Sequence, residues 1–254
     1  MFFFELLFLI PLFLIWGSFL NVLGYRLIRN QTVVWGRSAC PHCKNQIAWY
    51  DNIPLVSWCI LQAQCRMCKQ PISILYPFIE LLTVILLSLL YVYIPHQYFL
   101  SYFIFFSALI VTIRSDLECM LISRYVTLCL IPLGLLLSLT HLLPISFTHS
   151  MLGIVFGYGV LFGIAQLFYL ITNKEGLGQG DIDLLAFIGS FTGVIGCWAT
   201  ILIGSTVGSV IGMIYMVMHR PNRQVKIPFG PFLAFGAIIF IFFQDMFTHI
   251  LLGL

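Results

Sequence analysis

Long charge-free apolar runs separated by short polar patches set the pattern of this chain. A helix needs about 20 apolar residues to cross roughly 30 Å of hydrocarbon, and several runs exceed that length. Leu6 to Tyr25 follows a lone Glu5 and reads as one helix. Leu81 to Ile113 is also uncharged, and its 33 residues would make a helix of about 50 Å, too long for one span. Pro95 and His96, flanked by Tyr91, Tyr93 and Tyr98, mark a turn at an aromatic belt. Tyr125 to Asn173 splits in the same way at the polar patch of His141, Pro144, Ser146, Thr148 and His149. Leu184 to Met218 is predicted to turn near Cys197 and Trp198, and Phe232 to Leu254 makes the last span. The pattern therefore predicts an all-α polytopic membrane protein of about eight transmembrane helices. Its expected organisation is a first helix over 1–25, a cytoplasmic loop domain over 26–77 and a seven-helix core over 78–254.

Composition agrees with that reading and charge orients it. Of 254 residues 61% are hydrophobic and 8% charged, with a mean hydropathy of +1.03, whereas soluble domains run near a quarter charged. The twelve Lys and Arg residues fall into four clusters: Arg26 to Lys69, Arg114 with Arg124, Lys174, and Arg220 to Lys226. Threading the expected helices puts all four on one side, which the positive-inside rule makes cytoplasmic. Both termini then face the periplasm or exterior. The positive charge follows the first apolar run instead of preceding it, so that run reads as a retained helix and not as a cleavable signal peptide. The net charge of +3 reflects this bias. No basic stripe with interleaved base-stacking aromatics lies outside the lipid spans, so no nucleic-acid partner is expected.

The loop between Arg26 and Pro77 holds half the basic residues and five of the eight cysteines. Cys40-Pro41-His42-Cys43 and Cys65-Arg66-Met67-Cys68 are two Cys-x-x-Cys pairs separated by 21 residues. That is close to zinc-ribbon spacing, in which each tight turn presents two thiolates and the pairs complete a tetrahedron. Disulfides are the alternative, but the loop is assigned to the reducing cytoplasm, where they are rare; a redox-active pair is a third option. A structural zinc on Cys40, Cys43, Cys65 and Cys68 is expected, since four Cys ligands leave no open position for water. Cys59 lacks a matching partner, and Cys119, Cys129 and Cys197 read as buried apolar packing.

Four of the nine acids cluster at two places, Asp116 with Glu118 and Asp181 with Asp183. Both lie at the expected cytoplasmic ends of membrane helices, where acids are costly and default to a functional hypothesis. Two carboxylates held a few ångströms apart cannot both ionise easily, so one keeps a proton. The charged member can activate water and the neutral one can polarise a carbonyl. The competing reading makes Asp181 an N-cap of the apolar helix that follows it, and Asp116 and Glu118 a solvated loop. Spacing alone leaves the two readings even.

Glu175-Gly176-Leu177-Gly178-Gln179-Gly180-Asp181-Ile182-Asp183-Leu184-Leu185-Ala186, with its Gly-x-Gly-Asp element, resembles the signature of the prepilin peptidases. Gly17-Ser18-Phe19-Leu20-Asn21-Val22 with Arg26 resembles that family's first-helix motif. The two Cys pairs, Asp51-Asn52-Ile53-Pro54, and Tyr76-Pro77 with Glu80 resemble further elements of it, and Ile227-Pro228-Phe229-Gly230-Pro231 is similar to the stretch before its last helix. The resemblance spans nearly the whole chain. It implies an eight-helix aspartyl endopeptidase of the bacterial inner membrane, cutting the basic leader of type IV prepilins and type II secretion pseudopilins after a Gly. It also implies methylation of the new amino terminus with S-adenosylmethionine, and it makes Asp116 and Asp181 the catalytic pair. The chain departs from the family at several places. Ile122-Ser123-Arg124 stands where Leu-Pro-Asp is usual, Glu118 where the second Asp of Asp-x-Asp is usual, Asp183 where Lys is usual, and Ala63 where Gly is usual.

Other function classes are weighed against this one. A transporter would show internal repeats and ionisable groups near the bilayer midplane, and neither is visible. A non-catalytic, zinc-containing membrane assembly factor for pili or secretion systems is the alternative; it would tolerate loss of the aspartates. Gly176, Gly178 and Gly180 leave room for a substrate backbone near Asp181, while Gly189, Gly193, Gly204, Gly208 and Gly212 read as close helix contacts in lipid. No Gly-rich signature for S-adenosylmethionine occurs. Its binding residues are unassigned, with Asn21 and Glu80, near the membrane junctions of the Cys loop, as the place to look.

Overall fold

The computed structural model describes residues 2–32, 38–218 and 227–252; the basic cluster from Arg220 to Lys226 lies outside them. The described residues are almost wholly helical, as an apolar chain in lipid must be if its backbone groups are to pair internally. They form two compact units, Met1–Tyr93 and Ile94–Leu254.

The first unit joins two long apolar helices, α1 (Phe2–Ile28) and α3 (Leu75–Tyr93), by the polar loop. They lie antiparallel, tied near both ends. Tyr91 donates its hydroxyl to Glu5 at 2.6 Å, and Asn21 Nδ2 donates to the Tyr76 carbonyl at 3.0 Å. Between these ties the backbones approach closely: a Cβ on Gly17 would lie 3.0 Å from Thr83 Cβ and 3.1 Å from Glu80 Cα. The loop carries a short 3-10 turn, Trp49–Asn52, and a five-residue helix, α2 (Val56–Ile60). Two small hairpin-like turns complete it, closed by single antiparallel bridges at Ala39 with Gln46 and at Gln64 with Pro71.

The second unit is built around α7 (Gln179–Met218), against which α6 (Phe147–Thr172), α8 (Gly230–Phe242) and α5 (Arg124–Leu139) pack; α4 (His96–Cys119) packs on α8, and α9 (Gln244–Leu252) follows it. Phe105 of α4 stacks on Phe191 at 4.8 Å between ring centroids and sits 5.2 Å from Phe187, all three fully buried. The α6–α7 contact is backbone on backbone. A Cβ on Gly153 would lie 2.3 Å from the Gly189 carbonyl oxygen, and one on Gly157 2.6 Å from that of Leu185. Small residues permit this approach, and dispersion with no competing hydrophobic effect then holds the helices together.

The expected breaks at Pro95–His96 and between His141 and His149 coincide with the ends of α3, α4, α5 and α6. The break expected near Cys197 lies instead at Gly193, whose φ of 70° and ψ of −169° interrupt α7. Only a residue without a Cβ adopts that conformation at little cost, whereas Cys197 and Trp198 carry no such conformational signal. The last run is also divided, at Phe243, into α8 and α9. Eight separate full-length spans are not found among the described residues. Five helices (α1, α3, α4, α6 and α7) are long and apolar enough to cross a membrane, while α5 and α8 are shorter apolar helices.

Candidate active site

Asp116 occupies the last turn of α4. The helix ends four residues later at Met120, whose left-handed backbone (φ 54°) lets its N–H donate to the Asp116 carbonyl. The side chain is 4% exposed, and its Oδ2 accepts the Gly230 N–H at 3.0 Å. Gly230 opens α8, so a helix amino terminus, positive in its dipole, points at this carboxylate. A Cβ on Gly230 would fall 2.7 Å from Oδ2, and the glycine is what allows the approach.

Asp181 lies in the first turn of α7 and is half-buried. Its N–H donates to the Gly178 carbonyl at 3.1 Å, while its Oδ2 folds back to within 3.3 Å of where a Gly178 Cβ would be. Asp116 and Asp181, 65 positions apart in sequence, are brought to one site by a shared neighbour. Ile122, in the linker between α4 and α5, fills the space beside both: its side chain abuts the faces of Gly180 and Gly230 that lack a Cβ. The two neighbouring acids are spoken for. Glu118 pairs with Arg114 one helical turn away, and Asp183 accepts Arg124 Nε at 2.8 Å and Gln179 Nε2 at 3.2 Å. Among the described residues, neither Asp116 nor Asp181 has a cationic partner. Asp116, buried within the last turn of α4, does not lie in a solvated loop.

The four loop cysteines also converge. Sγ atoms of Cys40, Cys43, Cys65 and Cys68 all lie within 4.8 Å of one another, with Cys40 and Cys68 at 3.8 Å. A tetrahedron of thiolates with Zn–S near 2.3 Å has S···S edges of about 3.8 Å, so this donor set fits zinc. The two halves share one local design. The N–H of Lys44 bonds the Cys40 carbonyl and that of Lys69 the Cys65 carbonyl, both at 2.9 Å, with left-handed φ of 61° and 59° at the two lysines. Backbone N–H groups of Cys68 and Met67 favour the Cys65 thiolate and bring its pKa down to about 7. Arg66 reaches from the second turn to fork Asp51 at 2.8 and 2.7 Å, holding that carboxyl below its usual range. Glu80 accepts the N–H of Leu55 at 2.8 Å where the chain turns into α2 with φ 60°. Asp51, Glu80 and Asn21 are thus engaged in holding the loop and its helices. Of the other cysteines only Cys197 is buried, beneath α6; Cys119 is intermediate, and Cys59 and Cys129 are exposed, which corrects the packing role expected for Cys129.

Gly230 is the site residue whose role the sequence left unread. The signal was present in its setting, a glycine flanked by Pro228 and Pro231 directly before an apolar run.

Comparison with known proteins carries the argument further. Residues 12–94 match the family model described as Bacterial Peptidase A24 N-terminal domain, and residues 103–217 match the Type IV leader peptidase family. The chain belongs to the type IV leader peptidase family. Among curated relatives, the "Prepilin leader peptidase/N-methyltransferase" of Aeromonas hydrophila is 33% identical over 97% of this chain and 93% of its own length. The protein of the same name from Xanthomonas campestris pv. campestris is 35% identical over 91% of this chain and 88% of its own. One from Legionella pneumophila is 33% identical over 85% and 76% respectively. No solved structure matches. The chain is therefore an enzyme of the leader-peptidase type, in a family whose members carry peptidase and N-methyltransferase in one name.

Proposed function

We propose that this enzyme cuts the leader from type IV prepilins and pseudopilins at the cytoplasmic face of the bacterial inner membrane, with Asp116 and Asp181 as the catalytic pair. The observation that carries the reading is that the ends of α4 and α7 meet on Ile122, which abuts Gly180 beside Asp181 and Gly230 whose N–H holds Asp116, while Glu118 and Asp183 are each paired with an arginine. In the proposed reaction the ionised carboxyl takes a proton from water as its oxygen attacks the scissile carbonyl carbon. The protonated carboxyl donates to the carbonyl oxygen. When the tetrahedral gem-diol collapses, one of its hydroxyls returns its proton to the pair as the carbonyl re-forms, the C–N bond breaks and the leaving amine takes a proton from the pair. Each turnover returns the pair to one shared proton.

The finer placement follows charge. All basic clusters on the cytoplasmic side put the 26–77 loop domain and the acid pair there, and both termini outside. Zinc on Cys40, Cys43, Cys65 and Cys68 would be structural, fixing the loop with no open coordination position. Methylation of the new amino terminus with S-adenosylmethionine is supported by the relatives' names, with Asn21 and Glu80, beside the Cys loop, as the place to look for the donor site. Mass spectrometry of a co-expressed prepilin tests the core of the proposal, since one spectrum reports both leader loss and methyl gain. Asp116→Asn and Asp181→Asn should each lower cleavage at least about 100-fold, with expression and zinc content unchanged, whereas Glu118→Gln cleaves. Wild-type cleavage by either Asn variant overturns the assignment.

A further inference from the structure

Arg124 and Asp183 form an ion pair beside Asp181 that the proposed chemistry leaves unused. Arg124 is the first residue of α5, where the helix dipole disfavours a cation unless something else compensates it. Asp183, 2% exposed in its side chain, supplies that compensation at 2.8 Å. The carboxylate is fully used: Oδ2 takes Arg124 and Oδ1 takes Gln179. Gln179 lies two residues before Asp181 and Asp183 two after, so this single side chain fastens the α7 backbone on both sides of the proposed catalytic acid.

The arginine end fastens a second element. Arg124 closes the four-residue linker 120–123 between α4 and α5. Ile122 of that linker is wedged between Gly180, next to Asp181, and Gly230, whose N–H holds Asp116. The ion pair therefore sets where Ile122 sits, and Ile122 in turn spaces the start of α7 from the start of α8. Asp183 also lies at an open, otherwise apolar groove lined by Leu128, Ile131, Ile154, Val155 and Tyr158. An acid there without its partner would be an uncompensated charge against hydrocarbon, and the end of α7 would have to move to rehydrate it.

We infer that Arg124 and Asp183 form a positioning clamp that keeps Asp181 in register with Asp116, and that the requirement is for opposite charges across the pair in either polarity. The inference rests on the proposed role of the two acids. The test is steady-state prepilin cleavage by purified full-length protein in detergent for Arg124→Gln, Asp183→Asn, Arg124→Asp, Asp183→Lys and the exchanged double variant Arg124→Asp with Asp183→Lys. Each single variant should lose at least tenfold in kcat with KM within threefold, because the clamp acts on catalytic geometry and not on substrate contacts. The exchanged double variant should recover to within about threefold of wild type, a rescue that a generic packing role would not produce. Arg124 is 60% exposed, so Arg124→Gln remains readable even where Asp183→Lys alone does not accumulate. Single variants with wild-type kcat, or a double variant no better than the weaker single, overturn the clamp. Cleavage surviving in Asp116→Asn or Asp181→Asn overturns instead the reading on which it rests, so the two failures are distinguishable.

Discussion

At the scale of single residues, the site is defined as much by missing atoms as by charged ones. Gly230 donates to Asp116 and leaves no room for a side chain, because a Cβ would lie 2.7 Å from the carboxylate oxygen. Gly230→Ala should therefore push Asp116 or α8 aside. A misplacement of about 1 Å costs on the order of 100-fold in rate, and cleavage by this variant should fall by roughly that factor while the chain still inserts. Gly178 offers a graded comparison, since a Cβ there would meet Asp181 Oδ2 at 3.3 Å, a distance a few tenths of an ångström of relaxation would relieve. Gly178→Ala should retain much more activity than Gly230→Ala. Equal losses, measured side by side with one prepilin, would show that the Asp116–Gly230 contact is not what matters.

At the scale of elements, two kinds of close approach hold the described parts together. In the helical unit, α6 and α7 meet through Gly153, Gly157 and Gly189, where an added methyl would strike backbone and not a movable side chain. Gly153→Ala should destabilise the unit by about 1–3 kcal/mol, as overpacking of a tight contact does. Gly159, on the same helix with nothing within 4 Å of its absent Cβ, is the control. Thermal unfolding in detergent should show a lower Tm for Gly153→Ala and none for Gly159→Ala. In the loop, the two Cys turns are matched halves whose sulfurs converge, so a metal bound there would tie them together. Purified protein should carry about one zinc per chain, lost in Cys40→Ser with Cys65→Ser. Unchanged zinc in that variant would place the metal elsewhere. Loss of the metal should free the loop while leaving in place the acid pair's own contacts, which among the described residues come from Gly178, α7, α8 and the α4–α5 linker.

For the molecule as a whole, orientation in the membrane is the property with the widest consequence. If all the basic clusters face the cytoplasm, Cys59, exposed in the loop, should resist a membrane-impermeant maleimide in intact cells and react once the inner membrane is opened. Comparison with Cys59→Ser isolates its signal from that of exposed Cys129. Labelling of Cys59 from the periplasm would invert the topology and remove the reducing-compartment argument for zinc. The 40 residues of α7 make about 60 Å of helix at 1.5 Å per residue, twice the hydrocarbon thickness. Its break at Gly193 is thus the place where the number of crossings is decided.

Much of this was legible from the residues alone. Membrane residence follows from apolar run length, because no soluble fold can hide that surface. The turns at Pro95 and near Ser146 were readable because polar and aromatic residues punctuate the runs, and the Cys-x-x-Cys spacing announced a metal-sized cluster through local turn geometry. The Gly-x-Gly-Asp resemblance singled out Asp181 and its partner. Other features depend on contacts between residues far apart in the chain, which no local pattern encodes. The bend at Gly193 lies inside an unbroken apolar run, where one glycine among many carries no distinguishing signal. The resemblance picked Asp116 and Asp181 out of four clustered acids, but that Glu118 pairs with Arg114 and Asp183 with Arg124 is visible only in the packing. The charge exchanged beside Asp181 read as a disturbance in sequence. It became an ion pair only when the start of α5 met the start of α7, because a buried charge is tolerated according to what lies across from it in space.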